Sequence, residues 1–196
     1  MDKNRKVSAE KSLWRTIGRK LLMQPTKLSS GNAYLDKVRD CFIFQIYTAL
    51  RISDAKNLRE TDIVSDESSR LWVTGFSQKS SEALRIPLLP PARLVYDKYS
   101  EYRKTTGFVL PLQSHQKYNV ALKFLGELVG LPAHKKLHSH VARHTAATTI
   151  LLGRGVGIKE TSAYLGHASI RSTEHYARIS KQGLTAVAEK LETIHL

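Results

Sequence analysis

Residues 139–145 read Ser-His-Val-Ala-Arg-His-Thr and contain the strongest local signal in the chain. His140 and Arg143 are three residues apart, so on a helix they lie on one face, one turn from each other. Side by side, an imidazole and a guanidinium gain nothing from each other in water, but both can donate hydrogen bonds to an anion. Because the guanidinium fork matches two phosphate oxygens, a phosphate is the expected partner. Taken alone, such a pair is more often an ordinary pair on a helix surface.

The surrounding segment, residues 134–181, is strongly basic and rich in histidine. It carries eight Lys and Arg against two acidic side chains and holds six of the eight histidines. The whole chain of 196 residues has 31 Lys and Arg against 17 Asp and Glu, a net charge of +14. An excess of this size favours a polyanion, with nucleic acid first and an anionic membrane surface second. The single cysteine, Cys41, excludes an internal disulfide and favours a reducing, cytoplasmic compartment.

Apolar spacing upstream predicts a helix that ends at about Leu50, followed by a short helix over 55–58 that Ser53 or Asp54 would cap. Arg51 then lies at the junction of two helices. Further along, residues 70–74 and 83–88 predict two antiparallel strands, and Lys79 lies in the polar connection between them.

The remainder of the chain predicts helices. Pro90 and Pro91 begin one that has Leu94 on its buried face and ends at Gly107. The other predicted helices cover about 118–129, 139–152 (capped by Ser139), 158–165, the stretch that contains Tyr176, and 184–194. The fold class is therefore α+β, mainly α, with one small antiparallel hairpin or sheet flanked by helices.

Five short motifs follow one another along the chain. In sequence order they are Thr-Ala-Leu-Arg-Ile-Ser-Asp at 48–54, Gln-Lys-Ser at 78–80, Ser-His-Val-Ala-Arg-His-Thr at 139–145, Leu-Gly-His-Ala-Ser at 165–169 and Ser-Thr-Glu-His-Tyr-Ala-Arg at 172–178. This order resembles the catalytic domain of the tyrosine recombinases, the phage integrase family, across about residues 28–195. The sequence around His140 is most similar to those of integrases from mobile elements of Bacteroides-type bacteria.

The resemblance implies a site-specific DNA recombinase that forms a 3′-phosphotyrosyl intermediate without metal, cofactor or ATP. It implies that Arg51 and Arg143 clamp the scissile phosphate and that His140 and His167 donate further hydrogen bonds to it. Tyr176 would be the nucleophile, with His140 as its general base. Lys79 would protonate the leaving 5′ oxygen. Asp54 would orient Arg51.

The same resemblance implies partners and domains. The partners are double-stranded DNA, further copies of the chain (a tetramer on DNA in the full-length protein) and accessory DNA-bending proteins, with no membrane, in the bacterial cytoplasm at the nucleoid. The expected divisions are a basic lead at 1–27, the catalytic domain at 28–181 and an amphipathic helix at 182–196 that is exchanged between protomers. Two residues depart from the usual pattern: Ala49 replaces a glycine and Ala142 a leucine. The chain before the match is also too short for the N-terminal DNA-binding domains of full-length members, which favours an excised domain.

Three alternatives remain open at this stage. The spacing of His140 and His144, with His138 nearby, is found in zinc sites, although the glutamate of zinc hydrolases is absent. Alternatively, the helix over 139–152 of a non-catalytic basic module would enter a DNA major groove, which leaves Tyr176 and Lys79 without a role. The third alternative is that the chain is an inactive relative of the recombinases.

Overall fold

A long central helix, α1 (Ala33–Thr48), organises the core of the computed structural model, which describes residues 32–132 and 136–179. The Asn32 side chain begins this helix by accepting hydrogen bonds from the first-turn N–H groups of Tyr34 and Leu35. The spacing predicted one buried face, but from Val38 onward every residue of α1 is buried. The polar side chain of Gln45 is satisfied inside the core, because its amide donates to the Leu50 carbonyl and accepts from the Tyr118 hydroxyl.

The junction after α1 is a sharp turn that places Arg51 at the edge of the core. Helix α1 ends at Thr48, two residues before the predicted end, because Ala49 adopts a left-handed conformation with φ of 56°. Helix α2 (Ile52–Asn57) follows at once, with Arg51 in its N-cap position. The predicted capping by Ser53 or Asp54 is wrong, since α2 begins before both residues and has no side-chain cap.

The antiparallel sheet has three strands in the order β1 (Ile63–Ser65), β2 (Leu71–Phe76) and β3 (Ala83–Pro87). The β2–β3 hairpin confirms the prediction, and Val73 pairs with Ile86 on its buried face. Strand β1 was not predicted, since three residues of which two are exposed give no periodic signal. Lys79 lies in the connection at 77–82.

Two helices replace the single one predicted between Pro90 and Gly107. Helix α3 (Pro90–Lys98) and helix α4 (Ser100–Thr106) meet at Tyr99, and Gly107 ends α4 in the left-handed conformation as expected. Leu94 was placed on the buried face, but its side chain is 72 % exposed. The buried positions of this segment, Ala92, Val95 and Tyr99, step by three and four residues, and Leu94 lies outside this stripe.

In the C-terminal half, the last three helices that the structure describes lie near the end of α1 where Arg51 is located. Helix α5 (His115–Leu128) precedes α6 (Ser139–Thr145), which continues as a π-helical turn at Ala146–Leu151 and a 3-10 turn at Leu152–Arg154. Helices α7 (Ile158–Tyr164) and α8 (Arg171–Ile179) follow. His138, not Ser139, occupies the N-cap of α6, and the Ser139 N–H donates to the Asn119 side chain instead. This mainly helical fold with one small antiparallel sheet is the predicted class.

The predicted lead at 1–27 and the predicted helix at 182–196 lie outside the described residues. Across the described ranges, none of the helices is both long and apolar enough to cross a membrane.

Candidate active site

Arg143 lies at the bottom of the site, on the buried side of α6. Its guanidinium donates to the Ala49 carbonyl at 2.9 Å and to the Leu165 carbonyl. These contacts join α6 to the end of α1 and to the turn after α7. The side chain is therefore held by two backbone oxygens, and no carboxylate of the described residues forms an ion pair with it.

Arg51 approaches from the α1–α2 junction and contacts the hairpin. Its Nη1 donates to the Ser77 hydroxyl at 2.7 Å, and Ser77 is buried at the start of the β2–β3 connection. Sequence reasoning missed Ser77, because the two residues are 26 positions apart and no local pattern marks the pair.

Asp54, which was predicted to orient Arg51, contacts the hairpin next to Ser77, the partner of Arg51. Its carboxylate accepts from the Gln78 N–H at 3.1 Å, and no hydrogen bond joins it to Arg51 within the described residues. Ser80 donates from its hydroxyl to the Gly166 carbonyl at 2.8 Å. The connection that carries the exposed Lys79 is thus anchored on both sides of that residue.

His167 follows a tight turn at which glycine is favoured. Gly166 has φ of +57°, and a Cβ at this position would lie 2.6 Å from Cδ2 of Leu84. The turn directs Nδ1 of His167 to the Thr173 hydroxyl at 2.7 Å. Burial and then the charges of Arg143 and Arg51 lower the pKa of His167 to about 4. Its imidazole is therefore neutral at neutral pH.

Tyr176 on α8 completes the group. Its ring packs on a cluster of buried residues from α1, the π-helical turn and α7, namely Ala49, Ala146, Ala147 and Leu165. The ring lies parallel to His167, with centroids 6.2 Å apart, and edge-on to His144, with centroids 5.0 Å apart. The tyrosine predicted as nucleophile therefore lies between two histidines of the site.

His140 and His144 share α6 but have different neighbours. The exposed His140 ring contacts His138, and no ring contact with Tyr176 is present in the described part of the chain. Burial lowers the pKa of His140, and the charges of His138, Arg143, His115 and Lys79 lower it further. His144 was considered only as a metal ligand, but its ring contacts the edge of Tyr176. Its position next to Arg143 in the sequence could have marked it as a residue of the site.

The electrostatics of the site favour the binding of an anion. The pKa of Arg143 is lowered to about 10, because burial and the charge of Arg51 oppose its ionisation more than Tyr176 and Asp54 favour it. Cations held together in this way gain most from an anion that contacts them all. Arg51, Arg143, His167 and Tyr176 converge at this point, and Lys79 lies near enough to act on His140.

Two alternatives receive no support from this geometry. Among the described residues, no group of three or more His, Cys, Asp and Glu side chains is arranged to hold a metal ion. Helix α6 cannot serve as an exposed recognition helix, because five of its seven residues are buried and it packs against α1.

Comparison with known proteins identifies the family to which this fold belongs. Residues 20–183 match the model of the phage integrase family, and the chain belongs to that family. It is 31 % identical over 163 residues to tyrosine recombinase XerA of Pyrococcus furiosus, which covers 79 % of this chain and 55 % of that protein. It is 34 % identical over 154 residues to tyrosine recombinase XerC of Brucella suis, covering 72 % of this chain and 46 % of that protein. The chain thus spans about half the length of these relatives.

Solved structures confirm the fold. The XerH site-specific recombinase bound to palindromic difH substrate in a post-cleavage complex superposes with a TM-score of 0.67 at 18 % identity, over 91 % of this chain and 52 % of that one. The XerA recombinase superposes with a TM-score of 0.64 at 21 % identity, over 92 % of this chain and 63 % of that one. The likeness to integrases of Bacteroides-type mobile elements stays a prediction.

Proposed function

We propose that this chain is the catalytic domain of a site-specific DNA recombinase that cleaves and rejoins duplex DNA through a 3′-phosphotyrosyl intermediate. The observation that carries this proposal is the position of Tyr176, held between His167 and His144 beside two arginines that lack a carboxylate partner in the described residues. A phosphodiester placed against Arg51 and Arg143 would supply the missing negative charge.

The chemistry is a transfer of the phosphoryl group from one oxygen to another. Tyr176 Oη attacks the phosphorus, a P–O bond to tyrosine forms, and the P–O5′ bond breaks. Arg51, Arg143 and His167 donate hydrogen bonds to the non-bridging oxygens, on which charge grows in the transition state. Because the phosphodiester is exchanged and not hydrolysed, the reverse attack by a 5′ hydroxyl restores the DNA without ATP.

Two proton transfers accompany this step. The Tyr176 hydroxyl loses its proton to His140, whose lowered pKa leaves the imidazole neutral and able to accept it at neutral pH. Lys79 gives a proton to the leaving 5′ oxygen. The anchors on both sides of Lys79 support this assignment, since they hold its backbone toward the turn of His167.

Duplex DNA and further copies of this chain are the proposed partners. Among the similar structures, a lambda integrase dimer is bound to a COC′ core site, with a TM-score of 0.60 over 80 % of this chain. Full-length relatives of this domain would assemble as tetramers on DNA, with residues 182–196 exchanged between protomers and with accessory DNA-bending proteins. The proposed location is the bacterial cytoplasm, at the nucleoid.

The test is covalent capture of DNA. The chain is incubated at low salt with a library of nicked duplexes whose central base pairs are randomised, and adducts that survive denaturation are separated on a gel. We expect an adduct from the wild type and from Tyr34→Phe, a control at the far end of α1, and none from Tyr176→Phe. An adduct that persists in Tyr176→Phe would overturn the nucleophile, and a wild type that binds the duplexes without forming an adduct would overturn the catalytic role.

The same assay decides which histidine accepts the proton. If His140 is the base, His140→Ala slows adduct formation more than His144→Ala does, and it shifts the acidic limb of the pH–rate profile. A larger loss in His144→Ala would transfer the role to the histidine that contacts the Tyr176 ring.

A further inference from the structure

Thr173 is a buried residue in the first turn of α8 to which the proposed chemistry assigns no role. Its side chain is 0 % exposed, and its hydroxyl lies 2.7 Å from Nδ1 of His167. Tyr176 follows three residues later, so the two residues lie on one face of the helix. Thr173 therefore connects the helix of the proposed nucleophile to a histidine of the phosphate site.

The hydroxyl of Thr173 differs from those of three other buried helical threonines. Thr48, Thr145 and Thr148 each donate to the carbonyl four residues earlier in their helices. Thr173 makes no such bond, because the residue four positions earlier, Ser169, precedes α8.

A hydroxyl that is removed from water has to donate its proton to an acceptor or leave a costly unsatisfied group. In the described residues, Nδ1 of His167 is the acceptor available to Thr173. The donor in this pair is therefore the threonine, and Nδ1 carries the lone pair.

This direction determines where the imidazole keeps its own proton. A neutral imidazole has one N–H, and the partner of one ring nitrogen decides which nitrogen carries it. With Nδ1 accepting, the proton is on Nε2, which has no partner among the described residues. An Nε2–H group can donate to a phosphate oxygen, whereas a bare Nε2 lone pair would repel it.

We propose that Thr173 is a positioning residue that fixes the Nε2–H tautomer of His167 and holds its ring parallel to Tyr176. The inference rests on the proposed function, in which His167 donates to the scissile phosphate. A group that hydrogen-bonds the second ring nitrogen of a functional histidine orients its ring, and mutation of such a group typically lowers affinity or activity about 10- to 100-fold.

The experiment compares three variants. Thr173→Val removes the hydroxyl with little change of shape, and Thr173→Ser keeps it. Thr161→Val is the matched control, because Thr161 is also 0 % exposed and its hydroxyl has no hydrogen-bond partner among the described residues. The readouts are the ¹⁵N shifts of the His167 ring nitrogens, assigned with His167→Gln, and the rate of adduct formation on a nicked duplex.

We expect an Nε2–H signature in the wild type, in Thr173→Ser and in Thr161→Val. Thr173→Val should lose this signature and form the adduct about 10- to 100-fold more slowly, with the serine variant restoring the rate. An Nδ1–H signature in the wild type would overturn the proposal without reference to any variant. Unchanged spectra and rate in Thr173→Val would overturn it as well. If the wild type forms no adduct, the proposed function fails, and the spectra still decide the tautomer.

Discussion

Arg39, near the middle of α1, and Arg143, in α6, are both 5 % exposed, but their surroundings differ. The Arg39 guanidinium forms ion pairs with Asp40 at 2.9 Å and with Asp36 at 3.0 Å. Asp40 also accepts from Lys98 and from the Tyr99 hydroxyl, so this cluster contains its own negative charge. Arg143 instead donates to the carbonyls of Ala49 and Leu165 and has a second cation, Arg51, nearby.

We infer from this difference that the Arg39 charge supports the fold and that the Arg143 charge serves the proposed substrate. A buried ion pair is costly to break, because the remaining partner stays in the interior without compensation. A buried cation held by neutral carbonyls already carries that cost, and an incoming anion removes it. Arg39 should therefore matter to stability and Arg143 to catalysis, and the same substitution at both positions tests the distinction.

Arg143→Met should give the largest effect. It removes the most buried contact with the phosphate, and the loss of one such donor costs about 10²- to 10³-fold in rate. The melting temperature should stay close to that of the wild type, because an uncompensated charge leaves the interior along with its hydrogen bonds. Adduct formation on a nicked duplex and thermal unfolding measure the two quantities. A melting temperature that falls as far as that of Arg39→Met would make Arg143 a structural residue.

Arg39→Met should show the reverse pattern. The Asp40 carboxylate would keep Lys98 and Tyr99 but lose its buried cation, so we expect a loss of about 2–4 kcal/mol in the free energy of unfolding. Urea unfolding measures this loss, and the rate of adduct formation per folded molecule should stay within a factor of about two, since Arg39 lies outside the site. A fall in that rate comparable with the effect of Arg143→Met would contradict the comparison.

The sequence alone did not separate these two arginines, although it located much of the site. The hairpin around Lys79, the helical junction at Arg51 and the turn before His167 follow from local patterns, because their turn residues and apolar spacing are short-range features. The identity of the site residues came from the order of their motifs. The bonds from Arg51 to Ser77 and from Ser80 to Gly166 span 26 and 86 positions, so that only the folded chain reveals them.

Acidification should weaken the fold through the histidines of the site. The pKa values of His138, His140, His144 and His167 all lie below the ordinary 6.5. The pKa of His167 is about 4 in the folded chain and 6.5 in the unfolded chain, so between these pH values the unfolded chain binds more protons than the folded chain. The stability that is present above pH 6.5 is therefore lost as the pH falls. We expect a lower melting temperature at pH 5 than at pH 7.5.

Substitution and ligand provide the controls for this pH effect. The drop in melting temperature should be smaller in His167→Gln than in the wild type. It should change less in His175→Gln, because the charge of His175 is only one of several causes that lower the pKa of His144. A short DNA duplex should also reduce the drop, because its phosphates favour the protonated histidines. Equal drops in the two variants would remove His167 as a source of the pH dependence.

The smallest effect is expected at Ala49, whose carbonyl holds Arg143. Its φ of 56° explains why glycine is usual at this position in the family, since a left-handed alanine costs about 1–2 kcal/mol. Against this cost, the buried methyl group packs on Ala146, Ala147 and Leu165, which stabilises the fold by about 0.8 kcal/mol. Glycine would also increase the conformational entropy of the unfolded chain, which costs about 0.4–1 kcal/mol of stability. These terms nearly cancel, so Ala49→Gly should change the free energy of unfolding by less than about 1 kcal/mol and leave the rate of adduct formation unchanged. Ala49→Val should instead lose both stability and rate, because a β-branched side chain disfavours this backbone conformation and would displace the carbonyl that positions Arg143.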